Sequence, residues 1–378
     1  MRASSRRCWS GWPARRPWRP PGPPASVERT EREPAVTVSS PARVLCFGEA
    51  LVDRLGLPGG DPAHDIPVDD RLGGAPANVA CALARLGTGA ALIGRLGDDR
   101  IGAAFRALLL ERGVDTSALQ CDPLRPSRTV LVRRDAAGER HFGGFAGDRG
   151  EGFADQAIDA AALAGALAPL LAQARWLLCG TIPLASAAAA AALQELLLAA
   201  GAHGLPLALD VNWRPTFWGL GAEQGPPPAV RQRLEPLLTQ AALLKCSREE
   251  ALWLFGSANA TVVRRALPQR PAVLITDGPQ PIDWAVGACG GRLPSVAVAA
   301  IDTTGAGDAF LAGLLHQLVG RPGLLQEPVV VSAVEQVLRF AAACGALVCQ
   351  GAGAIDPQPS EQQVLAVLGE SAAGTGAL

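Results

Sequence analysis

The chain has 378 residues, 49 % of them hydrophobic and 18 % charged, with a net charge of −1. That is the composition of a folded globular protein with a sizeable core, and it excludes an intrinsically disordered chain. The charge is uneven, +5 over residues 1–40 and about −6 over the remainder, and an acidic body without a basic stripe excludes nucleic acid as the main partner.

Residue usage narrows the chemistry. Of the 34 lysines and arginines only Lys245 is a lysine, and tyrosine is absent. A P-loop requires Gly-Lys-Ser/Thr, whereas Lys245 lies in Leu244-Lys245-Cys246, so a Walker-type NTPase is excluded. No Gly-x-Gly-x-x-Gly follows a strand-like run, which weighs against a dinucleotide-binding protein. Nine cysteines are scattered without Cys-x-x-Cys spacing or a Cys/His cluster. In a chain too long to need staples they read as reduced thiols in a cytoplasmic setting, with no zinc site expected.

In chain order, residues 1–40 come first. Seven prolines, several of them in Arg15-Arg16-Pro17-Trp18-Arg19-Pro20-Pro21, rule out a regular helix or strand. No apolar run of secretory type follows the early arginines. The segment reads as a disordered leader, as a stretch translated from a misplaced start, or as a targeting leader, and on each reading it is dispensable for folding.

Unbroken apolar runs at 44–47, 91–93, 176–179, 207–209 and 273–276 predict strands buried on both faces. Helical patterns fall between and after them, near 75–86, 101–112, 157–172, 185–200, 248–255, 305–319 and 333–349. Alternating strands and helices predict an α/β fold, a doubly wound, mainly parallel sheet covered on both sides. Residues 53–72 and 127–145 break the rhythm with β-type content. Ala137-Gly138 reads as the turn of a hairpin, and the two stretches as a small accessory sheet. The Ala-rich run 184–193 meets Gln194 and Glu195 well short of about twenty apolar residues, so no membrane partner is expected. The folded domain is expected over 41–370, with 371–378 a flexible tail.

Three segments carry chemistry. In Asp302-Thr303-Thr304-Gly305-Ala306-Gly307-Asp308, the following Phe310, Leu311, Leu314, Leu315 and Leu318 keep helical spacing. Gly305–Asp308 therefore start a helix, whose amides and dipole make an anion hole. Asp308 is either a helix-stabilising charge or a base placed to take a proton from an attacking hydroxyl. In Gly73-Gly74-Ala75-Pro76-Ala77-Asn78, the glycines admit a ligand close to the backbone, Pro76 suits the first helical position and Gly87 the C-terminal cap. Asn78 is a surface polar residue or a ligand for vicinal hydroxyls. In Phe47-Gly48-Glu49-Ala50-Leu51-Val52-Asp53, a buried strand leads to Asp53 at the ligand-binding edge of such a sheet.

Gly73-Gly74-x-x-x-Asn78-x-Ala80 and Asp302-Thr303-x-Gly305-Ala306-Gly307-Asp308 resemble the two signatures of the ribokinase-like (PfkB) family of sugar kinases, and the resemblance covers roughly 43–368. Gly94-Arg95-Leu96-Gly97-Asp98-Asp99-x-x-Gly102 resembles another element of that family. Asp210-Val211-Asn212-Trp213-Arg214-Pro215 with Trp218 is similar to its fructokinase and 2-keto-3-deoxygluconate kinase branch. The resemblance implies a three-layer α/β/α fold with a small β lid, and ATP-dependent phosphorylation of a sugar primary hydroxyl, fructose first. It implies Asp308 as base, the Gly305-Ala306-Gly307 amides around the transferring group, Arg214 on the phosphate side, and Asp53, Gly73, Gly74 and Asn78 on the sugar. Ser247, Glu250, Thr276 and Gly278 would serve the nucleotide, Glu250 through water-bound Mg²⁺, with Asp302 and Thr304 as a candidate site for a monovalent cation such as K⁺. With lysine nearly absent, arginine and Mg²⁺ would supply the positive charge. A homodimer is a further expectation.

The chain departs from the family pattern at three places. Ser247-x-x-Glu250 replaces Asn-x-x-Glu and is also a helix capping box. Ala342 stands where many relatives have Asn, and Pro279-Gln280-Pro281 replaces an expected glycine. A 2-keto-3-deoxygluconate kinase would need a further arginine in the sugar pocket, for which Arg133, Arg134, Arg140 and Arg149 are candidates. Outside enzymes, the alternative is an inactive kinase-like binding or regulatory subunit.

Overall fold

The apolar runs become strands, and their alternate residues feed two cores. In β1, Val44 and Cys46 face one cluster of buried side chains while Leu45 and Phe47 face the other, as a period of two on a sheet covered on both sides requires. The computed structural model describes residues 41–374 except 67–68, 136–139 and 223.

The elements begin with β1 (Val44–Phe47), β2 (Leu51–Pro58), β3 (Asp69–Gly73), α1 (Ala75–Arg85), β4 (Ala90–Gly97), α2 (Arg100–Arg112), β5 (Leu119–Asp122), β6 (Thr129–Arg134) and β7 (Arg140–Ala146). Then come α3 (Ala160–Gln173), β8 (Trp176–Cys179), α4 (Ala187–Ala202), β9 (Leu207–Asp210), α5 (Pro228–Leu238), β10 (Ala241–Ser247), α6 (Arg248–Phe255) and α7 (Ala260–Ala266). The chain continues with β11 (Ala272–Thr276), β12 (Ile282–Val286), β13 (Cys289–Leu293), α8 (Ala306–Val319), α9 (Val331–Val348) and α10 (Glu361–Gly374).

Nine strands form the main sheet in the order β13-β12-β11-β10-β9-β8-β1-β4-β5. Its pairs are parallel except β11–β12 and β12–β13. Helices α1, α2, α8, α9 and α10 cover one face and α3 to α7 the other, so the expected three-layer α/β/α fold is present. Among the described residues α9 alone is long and apolar enough to cross a membrane, and most of it is buried in the core. It packs close under α8: a Cβ on Gly345 would lie 2.9 Å from the Ala306 carbonyl oxygen, and one on Gly313 2.6 Å from Cys344 Sγ.

The two irregular stretches form the accessory sheet β3-β2-β6-β7. Its β6–β7 pair is antiparallel as a hairpin requires, while the turn at Ala137-Gly138 lies outside the described residues. A buried Arg128–Asp155 pair at 2.8 and 2.9 Å anchors this sheet, its guanidinium 4.4–4.9 Å from the rings of Phe145, Phe153 and Phe217. The leader 1–40 also lies outside the described residues. Of the expected tail 371–378, the first four residues fall within the range of α10, and 375–378 lie outside the described residues.

Candidate active site

The start of α8 is built by three residues around a tight turn. Gly305 takes φ +79°, and a Cβ there would lie 2.6 Å from the Cβ of Ala354, so only glycine fits. Asp302 latches the turn, its Oδ1 accepting from the Thr304 amide at 3.0 Å and hydroxyl at 2.6 Å, and its Oδ2 from the Gly353 amide at 2.9 Å. Arg71 of β3 brings a guanidinium nitrogen to 3.7 Å of the same Oδ2. The Ala306 amide donates to Thr303 within the turn at 3.2 Å. Of the expected Gly305-Ala306-Gly307 amides, that leaves those of Gly305 and Gly307, joined by the Asp308 amide, and the first-turn position of the last two gives them no acceptor inside the helix.

Asp308 therefore stands at the positive end of a helix. Removal from water, then the Asp210 charge, raises its carboxyl to about 6, against the opposing pull of the Asn78 hydrogen bond and of Lys245 and Arg214. Asn78 comes from the first turn of α1, where its Nδ2 donates to Asp308 Oδ2 at 2.8 Å. Its other side-chain atom, Oδ1, is buried and unpartnered. Pro76 occupies the second helical position, not the first, because Gly74 is the N-cap. Gly74 takes φ +100°, and a Cβ there would lie 2.7 Å from the Glu49 carbonyl oxygen. A Cβ on Gly73 would lie 3.5 Å from Asp53 Oδ2 and 3.9 Å from Asn78 Oδ1. Asp53, Gly73, Asn78 and Asp308 thus converge, although 255 positions separate Asp53 from Asp308 in the numbering. An orphaned acceptor beside a second carboxylate is a place for hydroxyl donors.

Glu49 lies behind Gly74. It is 3 % exposed, accepts the Ala75 amide at 3.2 Å and so holds the first residue of α1. Burial above all, then the charges of Asp155 and Asp308, push its carboxyl up to about 8.

On the far side of Asp308 the carboxyl ends of β9 and β10 meet. Lys245 and Asp210 are register partners and form a buried ion pair at 2.8 and 3.0 Å. Burial acts to lower the lysine, but the charge and hydrogen bonds of Asp210 outweigh it and hold the ammonium above its usual range. A Cβ on Gly307 would lie 3.2 Å from Lys245 Nζ. The lysine ammonium therefore lies beside the first turn of α8, a positive charge in addition to the expected arginine and Mg²⁺. Lys245, Asp210 and Glu49 stand in the segments read from sequence but are given no role at the site there. The signal available for Lys245 was the sole lysine of the chain set in an apolar run.

Ser247 and Glu250 form the capping box that opens α6: Ser247 Oγ accepts the Glu250 amide at 3.1 Å and Glu250 Oε2 the Ser247 amide at 2.7 Å. Glu250 Oε1 accepts the Trp213 amide at 2.6 Å. Both carboxylate oxygens are thus engaged, and Glu250 ties the loop carrying Arg214 to β10. Burial, then Asp210, raises its carboxyl above the usual carboxylate range. Arg214 is exposed, hydrogen-bonds the Trp213 carbonyl at 3.0 Å, and its charge reaches Asp308. Thr276 ends β11, followed by Gly278 at φ +52°. Beside them a cleft of about 360 Å³ is walled by Arg248, Asn259, Ile275, Asp277, Asp283 and Arg292.

Residues 41–361 match the pfkB family carbohydrate kinases. Fructokinase-1 of Oryza sativa subsp. japonica is 33 % identical over 329 residues, covering 86 % of this chain and 97 % of that protein. A fructokinase of Vibrio alginolyticus is 32 % identical over 334 residues, 87 % and 99 % of the two chains. Among solved structures, a fructokinase with bound ATP from Xylella fastidiosa superposes with a TM-score of 0.76 at 30 % identity, over 87 % of this chain and 99 % of that one. A Vibrio cholerae O395 fructokinase in fructose, ADP and calcium ion bound form gives 0.70 at 28 %, over 86 % and 99 %. With a match that runs through both glycine-flanked helix starts, the chain belongs to the pfkB family of carbohydrate kinases.

Proposed function

We propose that this chain transfers the γ-phosphoryl group of ATP to the primary hydroxyl of a sugar, with fructose the preferred acceptor and fructose 6-phosphate the product. The observation that carries the reading is the Asn78–Asp308 contact at a helix N-terminus, with the orphaned Asn78 Oδ1 turned toward Gly73 and Asp53. Asp308 accepts the hydroxyl proton while the sugar oxygen bonds to phosphorus. The bond from phosphorus to the bridging oxygen breaks and ADP leaves. The Gly307 and Asp308 amides face the charge on the transferring group. Asp53 and Asn78 grip sugar hydroxyls. The fructokinase relatives and the fructose-bound and ATP-bound neighbours support this choice.

The donor set fits Mg²⁺ only as an ion carried by the nucleotide. Among the described residues no cluster of three His, Cys, Asp or Glu side chains could hold a metal, Asp210 is paired with Lys245, and Glu250 is held by two amides. Mg²⁺ accepts such placement, binding triphosphate oxygens and water. A monovalent cation at Asp302 and Thr304 belongs to the same proposal, and would share the Asp302 carboxylate with Arg71.

Three of the four candidate arginines argue against a keto-acid acceptor, while the side chain of Arg140 lies outside the described residues. Arg134 Nε donates to the Gly56 carbonyl within β2 at 2.6 Å, Arg133 lies 3.3 Å from Asp61 in the turn after β2, and Arg149 is exposed. A coupled assay over fructose, ribose, 2-keto-3-deoxygluconate and adenosine tests the reading. Fructose is expected to give the highest kcat/KM. A preference of about tenfold for the keto acid overturns the sugar, and no turnover on any acceptor overturns the kinase in favour of a binding subunit.

A further inference from the structure

We propose that Lys245 is a catalytic residue of this chain, its ammonium moving from Asp210 onto the phosphoryl group in transfer; the inference rests on the kinase reading above. Three observations lead there. First, the ammonium lies against the first turn of α8, 3.2 Å from where a Gly307 Cβ would be, one residue before the base. An ammonium and the positive end of a helix converge here beside Asp210 and Asp308, and both would draw an anionic phosphoryl group to the same spot.

Second, the pair with Asp210 is a poor structural device. A buried ion pair seldom stabilises more than an apolar pair of the same volume, and every neighbouring position in β9 and in Leu243–Cys246 of β10 is apolar. Third, the chain uses arginine for every other cationic side chain apart from histidine. The space under Gly307 takes a compact ammonium, whereas a planar guanidinium is broader. The charged groups around it are Asp210, Glu250 and Asp308, with Arg214 beyond. As the oxygen–phosphorus bond forms and the bond to ADP breaks, the ammonium offsets charge on the equatorial oxygens without giving up a proton.

The sole lysine makes a direct test possible in the wild-type protein. With ¹³C-labelled lysine, the ε-methylene region of the NMR spectrum holds one side-chain signal. Adding Mg²⁺ with β,γ-imido-ATP should move that signal, and fructose alone should not. Asp210→Asn/Lys245→Met removes both buried charges, so neither is left unpaired. It should retain its fold by thermal melting and its fructose affinity by calorimetry, and lose about 10²–10³ in kcat. A lysine signal indifferent to the nucleotide analogue, or a double variant retaining more than about a tenth of kcat, overturns the proposal. If the wild type phosphorylates no sugar, the kinase reading fails instead, while the lysine signal still reads nucleotide contact.

Discussion

Asn78 Nδ2 lies 2.8 Å from Asp308 Oδ2 across 230 positions of sequence, so a sugar-side residue and the proposed base share one hydrogen bond. The amide leaves its own oxygen for the substrate while its nitrogen orients the carboxylate that must take the substrate's proton. Acceptor binding and base geometry are thereby coupled through a single side chain.

The first prediction concerns the base. Asp308→Asn keeps the shape of the helix start but cannot accept the proton. It should lower kcat by about 10²–10⁴, with fructose affinity by calorimetry nearly unchanged. Loss of a charge favoured by the dipole costs only about 0.3–1 kcal/mol of stability. A lower Tm with near-normal kcat would show that Asp308 is structural.

The pH dependence follows from the same carboxyl. Its folded value is raised to about 6 by removal from water, and only the ionised form accepts a proton. The kcat/KM profile should therefore rise through about pH 6 and level off above it. Asn78→Ala removes the donor that opposes the rise, so the midpoint should move upward, and KM for fructose should increase. A midpoint that moves down would refute the role given to Asn78.

Backbone shape at the sugar side is testable at Gly74. Alanine there meets φ +100° and places a Cβ 2.7 Å from the Glu49 carbonyl oxygen. Gly74→Ala should lose about 1–3 kcal/mol of stability and most of its fructose affinity, since Asn78 moves with the end of α1. Denaturant melts and calorimetry on one preparation read both effects.

Much of this arrangement was legible in the sequence because it is local. The buried strands at 44–47 and 176–179 and the helix at 248–255 are continuous patterns, and each glycine-flanked helix start lies within a few residues. β10 escaped notice because Lys245 and Ser247 interrupt its apolar run, β12 because Asp283 breaks a run of only five residues, and β13 because an edge strand with two adjacent glycines has no period to read. α5 holds two prolines, Pro228 in its first turn, where proline is tolerated, and Pro236 inside it, where proline ordinarily breaks a helix, so the segment has no clean helical pattern to read. The placement of Lys245 under Gly307 depends on the register of β9 against β10 and on where α8 docks. Those are long-range facts that no single segment carries.

The final prediction separates two roles for Glu250. As a cap and clamp, its carboxylate accepts the Ser247 and Trp213 amides; as a metal relay, it would orient water on Mg²⁺. Glu250→Gln keeps the volume but turns one acceptor into a donor, leaving a buried amide facing an N–H. An unsatisfied buried donor costs about 1–3 kcal/mol, so Tm should fall. The Arg214 loop should loosen, lowering kcat. If Glu250 serves the fold through these two amides and not the ion, the Mg²⁺ concentration giving half-maximal rate should stay where it is in the wild type at fixed ATP. A variant with wild-type Tm and a raised Mg²⁺ requirement would reverse the assignment, since only a residue acting through the ion changes the demand for it without weakening the fold.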